Sequence, residues 1–170
     1  MKTITVILVA TIGISLLAGC AITPVTLDSV GPAPTRSKPP QFVSTGQGWL
    51  RVYTATKVVP DGKDSYSYPH TGYRIYTESG RLLEYVPNHV DPVDESVTLV
   101  RIPAGKYNVL ARSEPYNLVL VPIVIQAGKT TEVHLGAHWK APANVSTNEI
   151  VYFPDGRPVG WKGSLADSSR

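Results

Sequence analysis

The sequence predicts an all-β sandwich of about seven to nine antiparallel strands, set behind a processed leader and a disordered proline-rich spacer. Three observations carry that expectation. From Gly48 onward, short runs alternate apolar and polar residues with a period of two, separated by Gly, Pro, Asp and Asn clusters at roughly ten-residue intervals. No helical spacing lies between those runs, as a parallel α/β sheet would require. The apolar side chains are mainly Val, Leu, Ile, Tyr and Trp, with Met1 the only methionine, and β-branched and aromatic residues favour strands.

Residues 1–19 have the pattern of a signal peptide: Lys2, an apolar run from Ile4 to Leu16, then small residues. The run is too short for a bilayer span, which needs about 20 predominantly apolar residues. The one cysteine is Cys20. The domain behind it therefore has no internal disulfide, thiolate nucleophile or cysteine metal ligand. Removing residues 1–19 takes away Lys2 alone among the charges, so the net charge of +3 becomes +2. The charges are interspersed without a Lys or Arg run, which argues against a nucleic-acid partner.

Leu17-Ala18-Gly19-Cys20 resembles the lipobox of bacterial lipoproteins. The resemblance implies cleavage between Gly19 and Cys20, a diacylglyceryl group on the thiol and acylation, such as palmitate, of the new amino terminus. The partner at this site would be membrane lipid, and several acyl chains anchor stably where one holds marginally. Ala21 stands where Asp would retain an enterobacterial lipoprotein in the inner membrane. The expected location is thus the cell envelope, on the outer membrane facing the periplasm. Residues 20–46 carry Pro24, Pro32, Pro34, Pro39 and Pro40 without a hydrophobic period, the composition of a semi-rigid linker.

The core is expected over 47–135. Leu50, Val52 and Thr54 alternate with Trp49, Arg51 and Tyr53 as a first strand, and Val58 to Lys63 has turn chemistry. Asp64 to Thr71 reads as a loop. Tyr73–Thr77 and Leu82–Val86 flank Glu78-Ser79-Gly80-Arg81 as a hairpin. Val97–Ile102 and Lys106–Ala111, joined by Pro103-Ala104-Gly105, read as the strongest hairpin in the chain. Leu118–Ile125 is almost continuously apolar, and Pro122 within it implies an edge, a bulge or a strand end. Thr131–Leu135 alternates again.

The order Leu99 to Val109, Val121 to Ile125 and Ala127-Gly128-Lys129 leading to Val133 and Leu135 resembles carboxypeptidase regulatory-like, transthyretin-like modules. That resemblance covers residues 95–135 and implies a single Ig-like sandwich used for binding or spacing, with no catalytic residues to carry over. In the extension 136–162, Glu149–Phe153 and Val159–Lys162 flank the turn Pro154 to Pro158 as a hairpin. Residues 163–170 read as a flexible tail.

No nucleophile elbow, phosphate-binding glycine loop or His-Glu-x-x-His motif is present, so the chain is expected to be neither an enzyme nor a cofactor binder. His134 and His138, with Glu132, straddle a strand end and do not converge as they would on a helix. Asp91, Asp94 and Glu95 share a loop without the calcium-loop pattern and read as turn formers. Glu78 and Glu84 flank a hairpin with nothing to place them at a catalytic separation. No metal is expected.

The aromatic set Trp49, Tyr53, Tyr66, Tyr68, Tyr73, Tyr76, Trp139 and Trp161 is mostly strand-face packing. Tyr66 and Tyr68, in a loop, are the members that packing explains least and are the candidate ligand-stacking residues. The expected function is a lipid-anchored envelope protein with a non-catalytic sandwich that binds a protein or a glycan or serves a structural role. The alternative is an extracytoplasmic carbohydrate-binding or carbohydrate-processing protein.

Overall fold

Two sheets face each other across an apolar core, and the chain crosses between them several times. The computed structural model describes residues 22–34, 46–62, 65–89, 91, 93–114, 116–136 and 139–163. Gly19, Cys20 and His138 lie outside them. The strands are β1 Val25–Thr26, β2 Val30–Gly31, β3 Gln47–Tyr53, β4 Val59–Pro60, β5 Tyr66–Ser67, β6 Tyr73–Thr77 and β7 Leu82–Val86. They continue as β8 Val100–Pro103, β9 Gly105–Ser113, β10 Asn117–Ile125, β11 Thr130–His134, β12 Ile150–Tyr152 and β13 Pro158–Lys162. The larger sheet runs β12-β13-β2-β10-β9-β6-β7 with β1 also beside β10, the smaller runs β11-β3-β8, and β4 and β5 form a separate pair.

The period-two pattern places the core. Leu50, Val52, Val100, Ile102 and Val133 point inward from the smaller sheet, and Val30, Ile75, Val109, Val119, Val121, Ile123 and Val159 from the larger; all are buried. The alternate side chains of β3, Trp49, Arg51 and Tyr53, lie on the opposite face and are half-buried. Fully burying one such aliphatic side chain is worth roughly 1.5–3 kcal/mol, so this two-sided alternation is the main source of stability in a domain without disulfides.

Three expectations need correction. The sheets are mixed, because β1 and β2 pair with β10, and β11 with β3, in parallel. The linker expected over 20–46 is structural at its start: β1 and β2 join the larger sheet, and Leu27 and Val30 are buried. Central β10 would otherwise leave one row of backbone groups unpaired, and the apolar Val25, Leu27 and Val30 supply a partner. The hairpin expected in the extension does form as β12–β13, and its place, which the pattern alone leaves open, is beside β2 in the larger sheet, so 150–162 belongs to the sandwich.

The third correction concerns Pro103-Ala104-Gly105. It does not close a hairpin: β8 pairs with β3 in the smaller sheet, whereas β9 pairs with β6 and β10 in the larger. The motif is a corner between sheets, because Ile102 and Val109 enter the same core from opposite sides. The Tyr107 hydroxyl fastens the corner by donating to the Pro103 carbonyl at 3.1 Å.

Pro122 also has a geometric explanation. The Leu120 carbonyl accepts from the Leu27 N–H at 3.0 Å, so residue 120 directs its backbone groups toward β1. Residue 122, two positions on, faces the same way. There β1 has ended at Thr26 and β2 begins at Val30. The missing proline N–H therefore falls in the gap between two short strands, and pairing with β9 continues through Pro122 opposite Asn108.

A buried polar node fixes the end of β3. The Asn88 amide nitrogen donates to the Val52 carbonyl at 2.8 Å, with Thr54 Oγ1 at 3.2 Å and the Thr71 carbonyl at 3.3 Å alongside. Thr54 Oγ1 donates to the Thr71 carbonyl at 2.7 Å, and Asn88 Oδ1 accepts from the Thr98 N–H at 3.2 Å. Asn88 has φ 68°, a left-handed conformation that Asn tolerates better than most residues. Asn88→Gly keeps that backbone accessible while removing the amide. Left unsatisfied, its buried partners are expected to cost about 2–4 kcal/mol, read as a lowered urea midpoint; an unchanged midpoint would contradict the role given to this node.

Candidate functional site

At the end of the sandwich where β3 and β11 stop, the chain leaves a cleft of about 670 Å3. Tyr53 closes β3 and His134 closes β11, side by side in the parallel register. Thr56, Tyr68 and His70 come from the excursion carrying β4 and β5, Glu95 from the loop before β8, and Glu114 from the β9–β10 turn. Gly136 and Trp139 complete the lining.

The aromatic wall follows from strand geometry. Neighbouring positions on one sheet face bring the Tyr53 and His134 rings together, with centroids 4.5 Å apart and planes 9° from parallel. Trp139 stacks on the other face of His134 at 4.5 Å and 0°. His134 is thereby enclosed, and burial lowers its pKa from 6.5 to about 4. Glu132 Oε2, 4.0 Å from His134 Nε2, would favour the imidazolium. That carboxylate is 41% exposed and also engages Arg51 at 3.6 Å, so desolvation wins and the ring is neutral near pH 7.

The other histidine has a different task. His70 Nδ1 lies 2.6 Å from the Thr54 carbonyl oxygen. A carbonyl only accepts, so Nδ1 carries a proton and donates it to Thr54, which orients a ring that lines the cleft. Its ring meets Tyr53 edge-on, with centroids 6.0 Å apart. Across the opening, Glu95 Oε1 accepts from the Tyr68 backbone N–H at 2.8 Å, joining two loops distant in sequence.

The structure divides the two candidate stacking residues. Tyr68 lines the cleft with its side chain 48% exposed. Tyr66, at 59%, sits opposite Pro60 in the β4–β5 pair and is not part of the lining. Tyr73 is core, and Trp161 lies in β13 at a separate depression.

The carboxylates are dispersed in role. Asp91 accepts from the Val93 N–H, and Asp94 from the N–H and hydroxyl of Ser96, so both are turn formers while Glu95 alone of that loop reaches the cleft. Glu78 pairs with Lys106 at 3.9 Å, and Glu84 lies opposite Ile75 on β7. Among the described residues, no three His, Asp, Glu or Cys side chains are grouped to hold a metal.

Sequence reasoning missed His70, Thr56 and Glu114 as site residues. A partial signal existed: Tyr68 and His70 stand two apart inside a tract whose Ser, Tyr and Pro content reads as loop, although the same spacing also reaches Tyr66, which lies outside the cleft. Compared with protein-family models, with curated proteins and with solved structures, the chain matches none.

The buried neutral imidazole gives a pH dependence. Unfolded, His134 takes a proton near pH 6.5; folded, it does so only near 4. Its contribution to stability is complete above pH 6.5 and is lost as pH falls from 6.5 toward 4, because the unfolded chain binds the proton first. The expected loss is about 2–3 kcal/mol. Urea unfolding across that range should show the decline in the wild type and a shallower one in His134→Phe, which keeps a ring between Tyr53 and Trp139. Equal slopes would refute the assignment.

Proposed function

We propose that this protein is a lipid-anchored component of the bacterial cell envelope whose sandwich is a non-catalytic module that binds a small ligand in the Tyr53–Tyr68–Trp139 cleft. The observation that carries the binding reading is the cleft itself, walled by aromatic rings on fixed strand ends and rimmed by a few polar groups. Such a mixture of apolar wall and sparse polar contacts is the usual character of a ligand site. A non-catalytic role is supported by the His134 ring, which is covered on both faces.

The anchor rests on Leu17-Ala18-Gly19-Cys20, which supports attachment through acylated Cys20 and an outer-membrane, periplasm-facing position. The transthyretin-like assignment belongs to the same proposal and rests on the Pro103 to Tyr107 motif together with the two-sheet architecture. A saccharide ligand is the second reading, favoured by the exposed ring of Tyr68 beside Trp139, since flat aromatic faces accept sugar rings.

Metabolic labelling with a palmitate analogue tests the anchor: the wild type is expected to label and Cys20→Ala to lose the label, and equal labelling would overturn it. For the cleft, Tyr68→Ala is expected to weaken ligand binding with little change in thermal midpoint, because that side chain is half-exposed. Tyr66→Ala serves as the control and should leave binding intact.

A further inference from the structure

We infer that the exposed face of the β4–β5 arm, made of Val58, Pro60, Tyr66 and Tyr68, docks on the lipid surface that holds acylated Cys20. This rests on the anchor reading and adds which part of the sandwich meets the bilayer.

The arm is a two-stranded ribbon outside both sheets. Thr56 bridges to His70, the Lys57 N–H donates to the Pro69 carbonyl, and Val59 and Pro60 pair with Ser67 and Tyr66. That register puts Val58 opposite Tyr68, and partners across an antiparallel pair share a face. One face therefore carries Thr56, Val58, Pro60, Tyr66, Tyr68 and His70, and the other carries Val59, Ser67 and Pro69. Burial inverts the usual order: Val58, Tyr66 and Tyr68 are 62%, 59% and 48% exposed, whereas Ser67 is half-buried and Pro69 buried. Single exposed apolar residues are ordinary. A ribbon that turns its aromatic and apolar face outward is an interaction surface.

The path of the chain says what covers that face. β1 runs parallel to β10 with Val25 opposite Val119, so the residues before Val25 leave at the end where β10 begins and Asn117 pairs with Ser113. The arm is rooted at the same end: the Ala55 N–H donates to the Arg112 carbonyl at 3.0 Å, and the Thr71 N–H to the Ala55 carbonyl at 2.9 Å. Ala55 is thus three strand spacings from β1, about 15 Å. Cys20 precedes Val25 by five residues, which at full extension reach about 18 Å. The prolines from Pro32 to Pro40 fall between β2 and β3 and add nothing to that reach. A lipidated Cys20 therefore keeps this end of the sandwich against the bilayer, and Ile22, on the connection, is itself 66% exposed. Tyrosine suits such a boundary, its ring apolar and its hydroxyl wet. So small a face binds lipid weakly alone, but the tether makes the contact intramolecular.

The test uses the acylated mature chain in vesicles of phosphatidylethanolamine and phosphatidylglycerol, with Val58→Cys or Lys106→Cys carrying a bimane. Cys20 is the only native cysteine and is blocked by its lipid, so the introduced thiol alone reacts. Lys106 lies near the start of β9, at the far end of the sandwich. Nitroxide-bearing lipid is expected to quench the probe at position 58 at least about threefold more than the probe at position 106, since a docked apolar face sinks about 5–10 Å into the headgroup boundary. Adding Tyr66→Asp should bring quenching at position 58 down to the level at 106, with flotation and thermal midpoint unchanged. Equal quenching at the two positions, on a chain that floats with the vesicles, would overturn the docking and leave the anchor standing. A probe at 58 that responds to protein density and not to quencher lipid would mark a second copy on this face and overturn it too. A chain whose mass shows no acyl group removes the anchor, and the docking with it.

Discussion

The buried contact between Asn88 and Thr54 is the constraint on which the working end of this protein depends. Two separate stretches leave the sheets there: the excursion after β3 and the long connection from β7 to β8. Each carries polar backbone groups into a place where water cannot serve them. The Asn88 side chain is fully buried and can donate and accept at once, so it binds the β3 end and the Thr98 backbone together. Thr54 couples the same node outward, since its hydroxyl holds the Thr71 carbonyl and its own carbonyl holds His70. Core and cleft are therefore parts of one hydrogen-bonded chain.

The rest of the fold deals with a different problem, how to satisfy both sides of long central strands using short neighbours. β10 pairs with β9 over its full length and is completed on its other side by two fragments, β1 and β2. Splitting that neighbour lets Pro122 sit mid-strand without an orphaned acceptor opposite it. The two sheets also approach closely where β11 passes β2 and β13. There Thr131 Oγ1 donates to the Val124 carbonyl at 2.8 Å. A Cβ on Gly160 would lie 2.8 Å from both the Glu132 carbonyl oxygen and Val30 Cγ1, so only glycine fits that crossing.

Much of this was legible in the sequence because period-two patterning is a local signal. The ranges Tyr73–Thr77 and Leu82–Val86 coincide with β6 and β7, and the runs at Leu118–Ile125 and Thr131–Leu135 with β10 and β11 to within a residue. Pairing partners were not legible. Nothing within Pro103-Ala104-Gly105 distinguishes a reversal inside one sheet from a corner between two, because that depends on what lies beside β8 and β9 from elsewhere in the chain. Val25 and Val30 were hidden for a related reason: a two-residue strand has no period, and the surrounding prolines dominate the composition. In the cleft, Tyr68 stood out as an aromatic in a loop. His70, Thr56 and Glu114 did not, since each acquires its place only when three loops converge.

That convergence bears on how the cleft can work. Tyr53 and His134 sit on strand ends held by β3–β11 pairing, so their side of the wall is as rigid as the sheet. The opposite side is made of loops, yet the Glu95 carboxylate bonded to the Tyr68 backbone ties two of them to each other, and His70 ties one of them back to Thr54. A site assembled this way loses little additional freedom when a ligand enters, which lowers the cost of binding. The same arrangement makes Glu95 serve twice, as a brace between loops and as a negative charge at the rim. Removing its charge while keeping its hydrogen-bonding capacity therefore separates the electrostatic contribution from the architectural one, a distinction that truncating the side chain would blur.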